Sequence, residues 1–127
     1  MFHPFSSQVL EYILKLKPEI QALSYESGNR GRTPLNTAVK NGKIWIAKIL
    51  VEHGADPNFQ QVGVKDPDYL ALSLAIYDNN DQMAKWLLEV KADVKRVDEA
   101  SLSYPLHTAV NKDKPNLEMV RMGYAVS

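Results

Sequence analysis

The sequence contains no cysteine, so neither disulfides nor thiolate zinc sites can contribute to its fold. Long uncharged hydrophobic runs are also missing, since Glu11, Lys15, Lys17 and Glu19 interrupt the apolar positions of the first twenty residues. This interruption argues against the core of a signal peptide, and no later stretch approaches membrane-spanning length. We therefore expect an intracellular, cytoplasmic protein without an export or anchoring segment.

An excess of charge of one sign is lacking as well, because 15 basic and 15 acidic side chains give a formal net charge of zero. A chain without a net field does not attract nucleic acid or an anionic membrane surface strongly. Apolar residues make up 45% and charged residues 24% of the 127 positions, proportions typical of one folded globular domain. The composition predicts a single domain whose partner is neither nucleic acid nor membrane.

What the sequence does contain is an internal repeat. The segments Thr33–Val39, Leu70–Ile76 and Tyr104–Val110 align Leu, Ala and a β-branched residue each time, and they begin 37 and then 34 residues apart. Downstream, Ala47–Asp56 aligns with Ala84–Asp93 without a gap. A period of this size indicates stacked helical units that share one continuous core.

Local signals in the first unit predict a helix, a turn and a second helix. Thr33 can cap the free amide groups at a helix start, and Pro34 suits the first helical position. Gly42 separates the two helices, and Gly54 supplies a left-handed end to the second. In the second unit Asn79 stands at the position of Gly42, and asparagine tolerates a positive φ better than most residues.

These segments resemble the ankyrin-repeat family, whose signature opens with Thr-Pro-Leu-His and closes with Gly-Ala-Asp. The first unit keeps Thr33-Pro34-Leu35 and Gly54-Ala55-Asp56, with Asn36 in place of the usual histidine. The resemblance covers roughly residues 28 to 122. It implies an all-α fold: an ankyrin-repeat solenoid of stacked helix-turn-helix units with short β-turn fingers.

The single domain is expected to divide into a helical N-terminal cap over 1–28, repeat 1 over 29–61, repeat 2 over 62–98 and an incomplete repeat 3 over 99–127. Repeat 2, covered from both sides, should be the most completely buried. Pro18 is expected to start a shorter second segment of the cap. The first segment is predicted from one apolar helical face, which consists of Val9, Leu10, Ile13, Leu14 and Leu16.

Catalytic and metal sites are not expected, because the three histidines, His3, His53 and His107, would lie far apart in a stack of repeats. His107 is interpreted as a structural histidine that bonds the loop backbone. Asp66 and Asp68 flank a proline and could hold a cation, but a solvated turn is the better interpretation. No glycine-rich phosphate loop is present. We expect no enzyme activity, no cofactor and no bound metal.

The resemblance implies a binding surface, which we call the predicted groove, formed by the β-turn fingers and the inner face of each first helix. Tyr69 and Tyr77 are its sharpest candidates, because tyrosine is enriched among interface hot spots. The alternative is that each ring lies flat over its own repeat. By alignment the predicted groove comprises Asn29, Arg30, Arg32, Lys40, Asn41, Asp66, Tyr69, Tyr77, Asp78, Ser101, Ser103, Asn111 and Lys112.

The expected function is noncatalytic protein–protein interaction, as an adaptor or inhibitor-like binder of another protein. One alternative is a structural unit that forms a homodimer through the incomplete C-terminal repeat. Another is a regulatory fragment of a longer ankyrin-containing enzyme or effector. Trp45 either packs against the N-terminal cap or stands free and marks a second contact surface with Lys48 and His53.

Overall fold

Six helices account for the regular structure in the described part of the chain. The computed structural model describes residues 4–25, 31–61, 64 and 67–111. Two isolated antiparallel bridges, Ser24 with Arg32 and Asp98 with Ser103, lie ahead of two of the helices, and the described residues form no strand. The all-α ankyrin fold is therefore confirmed. The helices are α1 (Pro4–Lys15), α2 (Pro34–Lys40), α3 (Ile44–Glu52), α4 (Ala71–Tyr77), α5 (Asp81–Glu89) and α6 (Pro105–Asn111).

The predicted start and stop signals operate as expected. The Thr33 side chain accepts a hydrogen bond from the Asn36 backbone N–H at 3.2 Å, and Pro34 is the first residue of α2. Gly42, between α2 and α3, has a φ of +69°, which a glycine adopts without strain. Asn79 occupies the same turn of the next repeat with a φ of +53°. The prediction that asparagine adopts the positive φ of the glycine at this position is therefore confirmed.

The N-terminal unit follows the same period as the repeats. Lys17, Gly54 and Lys91 come shortly after α1, α3 and α5, are spaced by 37 residues, and all have a positive φ. α1 therefore corresponds to the second helix of a repeat, and no first helix accompanies it in the described part of the chain. The predicted second segment after Pro18 is a turn at Ile20 rather than a helix, so that expectation was wrong.

The core lies where consecutive helical pairs stack. The equivalent alanines Ala38, Ala75 and Ala109 are all buried, and their small side chains let α2, α4 and α6 approach one another closely. Repeat 2 is buried on both sides, as predicted. The apolar residues that its two helices bury are Ala71, Leu72, Leu74, Ala75, Ile76, Met83, Ala84 and Leu87, with Trp86 and Leu88 partly buried against them.

The apolar face predicted for the N-terminal helix does not face the core as a whole. Leu14 is buried and Leu10 is half-buried, whereas Val9, Ile13 and Leu16 are exposed. The spacing of these residues correctly predicted a helix, but their burial depends on neighbours that the spacing does not reveal. The division into a cap and three repeats, with the boundaries given above, remains a proposal.

Candidate functional site

The first part of the candidate site is an ion pair that joins repeats 1 and 2. The Arg32 guanidinium donates from Nε to Oδ2 of Asp68 at 2.9 Å and from Nη2 to Oδ1 at 3.0 Å. This two-pronged geometry is the strongest form of the arginine–carboxylate contact. The hydrogen bonds with Asp68 raise the pKa of the Arg32 guanidinium above its ordinary value despite partial burial, and the charge of Asp78 adds to the effect.

Asn36 completes this junction from the position where the family usually has histidine. Its Nδ2 donates to Oδ2 of Asp68 at 3.0 Å and to the backbone oxygen of Tyr69 at 2.7 Å. Asp68 is consequently buried, so the interpretation of this residue as part of a solvated turn was wrong. Arg32 likewise joins the two repeats, through its hydrogen bonds with Asp68.

The second part of the site is an open recess between the helix-connecting turns of the two repeats. Its volume is about 700 Å³, and it is lined by residues 39–42 of repeat 1 and 78–81 of repeat 2. At its edge the Lys40 ammonium lies 3.3 Å from Oδ1 of Asp78, and both side chains are partly exposed. An exposed pair of this kind contributes only about 0–1 kcal/mol, so its charges can be redirected to a partner at little cost.

Two tyrosine rings contact each other in repeat 2, and Tyr77 directly precedes Asp78 at the edge of this recess. Tyr69 and Tyr77 contact each other edge to face, with ring centroids 5.4 Å apart and planes inclined at 73°. Tyr69 is half-buried, whereas Tyr77 keeps 45% of its surface exposed. Partial burial raises the pKa of the Tyr77 phenol, and the neighbouring Tyr69 and Asp98 contribute in the same direction. Of the two rings, Tyr77 is therefore the one presented to solvent.

The remaining members of the predicted groove are distributed unevenly. Asn41 is exposed at the recess, while Ser101 and Ser103 are half-buried in a turn of repeat 3. The Ser103 hydroxyl donates to the backbone oxygen of Tyr104 at 3.2 Å. Outside the described residues lie Asn29, Arg30, Asp66, Lys112 and the side chain of Asn111. Repeats 1 and 2 thus bring together Arg32, Lys40, Asn41, Tyr69, Tyr77 and Asp78.

Sequence reasoning missed Asp98, which is fully buried and holds the repeat 3 finger against repeat 2. Its carboxylate accepts from the Leu70 backbone N–H at 3.2 Å and from the Ala100 backbone N–H at 2.9 Å. The second bond forms an Asx-turn, in which an aspartate bonds the backbone two residues further on. An aspartate at the head of a short polar turn was the available signal.

His53 and His107, the two histidines in the described part of the chain, make separate contacts. His53 Nδ1 lies 2.9 Å from the backbone oxygen of Ile49, and its Nε2 lies 3.6 Å from Oε2 of Glu11. His107 is exposed, with its ring 5.9 Å from that of Tyr104, and His3 lies outside the described residues. In the part of the chain that the structure describes, no three potential ligands are grouped around a possible metal position.

Two further features bear on surfaces other than the groove. Trp45 on α3 is half-buried, which disfavours the interpretation of a ring that stands free as a second contact surface. Among the described residues, none of the helices combines the length and hydropathy needed to cross a bilayer.

Comparison with known proteins agrees with this architecture. Residues 6–61 match a family model described as ankyrin repeats (3 copies), so the match begins within α1, earlier than the motif resemblance. Alpha-latrocrustotoxin-Lt1a of Latrodectus tredecimguttatus is 32% identical over 111 residues. That alignment covers 87% of this chain but spans only 7% of the toxin's length. The matched repeats and the stack of helical pairs show an ankyrin-repeat fold in this chain.

Proposed function

We propose that this chain is a noncatalytic interaction module that holds another protein, as an adaptor or inhibitor-like binder, on the surface around Tyr77. Ankyrin repeats are protein-interaction modules, and repeat stacks of this kind bind partners on an extended concave surface. The observation that supports this surface is the exposed Tyr77 ring, next to the recess edged by the Lys40–Asp78 pair.

The chemistry of the surface favours a partner with patterned charge. Tyr77 offers a large apolar ring with a polar hydroxyl, and tyrosine loses little side-chain entropy on binding. Lys40 and Asp78 present opposite charges beside it, which favours a complementary pair on a folded protein or peptide. The Arg32–Asp68 bond beneath fixes the two repeats relative to each other, so the surface is organised before a partner arrives.

A crosslinking experiment tests this surface. A photoreactive amino acid is placed at Tyr77, or at Lys85 on the exposed part of α5 as the matched control, and irradiated in the native cell. We expect a defined protein adduct from position 77 and none of that mass from position 85. The captured partner, once purified, should bind Tyr77→Ala at least about tenfold more weakly and Lys85→Ala with unchanged affinity.

Two outcomes would overturn the proposal. One is an adduct that forms from position 85 but not from position 77. The other is full affinity of Tyr77→Ala for the purified partner, with circular dichroism showing an unchanged fold.

We also propose that the chain acts as a section of a longer ankyrin-containing protein, in the manner of a regulatory segment. The alignment with the toxin supports this, because the chain spans only 7% of that protein. Sequencing the transcript on both sides of this coding region tests it, and in-frame stop codons directly upstream and downstream would contradict it. A cytoplasmic location also remains a proposal, as does the homodimer through repeat 3, much of which lies outside the described residues.

A further inference from the structure

Acidic side chains outnumber basic ones beside Tyr77. Of the described residues that line the recess, Lys40 is the basic one, and Asp78 and Asp81 are the acidic ones. In the part of the chain that the structure describes, the Asp78 carboxylate pairs with one cation, the Lys40 ammonium at 3.3 Å. Both side chains of this pair are partly exposed, so water screens their attraction and either charge is available to another molecule.

A further carboxylate, that of Asp98, acts on Tyr77 from within the fold. It is fully buried and is held by the backbone N–H groups of Leu70 and Ala100. None of the described basic side chains forms an ion pair with it. The pKa of the Tyr77 phenol is raised, chiefly by burial and further by Tyr69 and by the charge of Asp98. Asp98 therefore adds a negative potential at the Tyr77 ring, and burial limits its screening by salt.

The Arg32 guanidinium is committed to a different acid. Its Nε and Nη2 donate to the two carboxylate oxygens of Asp68 at 2.9 Å and 3.0 Å. This pair is neutral as a whole. Among the described residues, the exposed Lys40 ammonium is therefore the cation left to offset Asp78 and Asp98.

The Tyr77 ring supplies a second kind of attraction for a cation. It is 45% exposed and meets Tyr69 edge to face. The face of an aromatic ring is negative, so it attracts a guanidinium or ammonium placed over it. A guanidinium also bonds a carboxylate through its fork of N–H groups. Asp78 directly follows Tyr77 at the end of α4, which puts the ring and the carboxylate within reach of one long side chain.

We propose that the surface around Tyr77 binds a basic segment of its partner, with an arginine side chain stacked on the Tyr77 ring and bonded to Asp78 in place of Lys40. This inference rests on the proposed function and adds the charge of the segment that the surface recognises. Lys40 then competes with that arginine for Asp78. An acidic segment would instead use Lys40 and be repelled by Asp78, so the two kinds of partner give Lys40 opposite roles.

Fluorescence anisotropy with two labelled peptides tests the charge of the segment. One peptide contains arginines spaced by glycine and serine, and the other has glutamate in place of each arginine. At physiological salt the basic peptide should bind wild-type protein in preference to the acidic one. Tyr77→Ala and Asp78→Asn should each weaken binding of the basic peptide about two- to fivefold, because each removes one of the two attractions.

Lys40→Met gives the sharper result. Removal of the competing ammonium should strengthen binding of the basic peptide about two- to fivefold. Lys85→Met is the matched control, since it removes the same charge from an exposed position on α5 outside the recess, and it should bind like wild type. Circular dichroism should show wild-type helicity for every variant, because all the substituted side chains are exposed.

Tighter binding of the acidic peptide would overturn the proposal, and so would weaker binding of the basic peptide to Lys40→Met. Failure of both peptides to bind would overturn it as well. A protein adduct from position 77 together with any of these results would leave the proposed partner surface intact, with a segment of different charge. The expected peptide results without a protein adduct would leave the recognition of a cation standing and contradict the proposed function.

Discussion

α1 and α5 occupy equivalent places in the 37-residue period, yet they differ sharply in burial. Met83 and Leu87 of α5 are fully buried, whereas their equivalents Val9 and Ile13 of α1 are exposed. All four residues are apolar and are spaced alike. In a repeat stack each unit buries its apolar faces against its neighbours. The same apolar pattern therefore stabilises the fold more in α5, which is covered by its neighbours, than in α1.

The largest expected effect separates these two helices in a denaturation experiment. Leu87→Ala removes a fully buried side chain and should lower the free energy of unfolding by about 2–5 kcal/mol. Ile13→Ala removes a side chain that is 46% exposed and should cost no more than about 1 kcal/mol. Urea unfolding followed by circular dichroism measures both, at concentrations where the chain is monomeric. Equal losses would show that α1 and α5 are buried alike in solution.

An intermediate effect is expected from the two ion pairs that join repeats 1 and 2. Arg32→Met leaves the buried Asp68 carboxylate without its guanidinium and should cost about 1–3 kcal/mol, since the arginine itself is partly exposed. Lys40→Met breaks only the exposed pair with Asp78 and should change stability by less than about 1 kcal/mol. The same urea titration compares them. A larger loss of stability for Lys40→Met than for Arg32→Met would contradict the conclusion that the Arg32–Asp68 pair holds the two repeats together.

The smallest effect concerns the ionisation of Tyr77. Its phenol has a raised pKa in the folded chain, so this group stabilises the fold below the ordinary value of 10.0, and that contribution is lost as the pH rises through the folded-state pKa. Absorbance of tyrosinate during an alkaline titration measures the ionisation. Tyr77→Phe should remove a component that titrates above pH 10.0. Loss of a component at or below that pH would show that the ring is not shielded by its neighbours.

Much of the architecture could be predicted from short stretches of sequence. The Thr33-Pro34 start of α2 and the turn glycine at Gly42 act through atoms a few residues away, and both predictions are confirmed. The site was harder to predict. Lys40, Asp78 and Tyr77 were assigned to one predicted groove by alignment. The structure pairs Lys40 with Asp78, whereas the role of all three residues in binding stays a proposal.

The wrong prediction for Asp68 has a physical origin in contacts between repeats. Asp68 was expected to be solvated, but it is buried by Arg32 and Asn36, which lie 36 and 32 residues away in the sequence. A carboxylate is equally compatible with an exposed turn and with a buried junction, and only the partner across the stack decides between them.

The repeat period, the helix positions and the ends of the helices follow from short stretches of sequence, because they depend on local hydrogen bonding and on backbone preferences at glycine, proline and asparagine. Which apolar residues are buried and which charges are paired depends instead on contacts between repeats that lie far apart in the sequence. Val9 and Met83 occupy equivalent positions in the repeat period, but only Met83 is buried. A side chain is buried when another unit of the stack packs against it, and the sequence around the residue does not supply that unit.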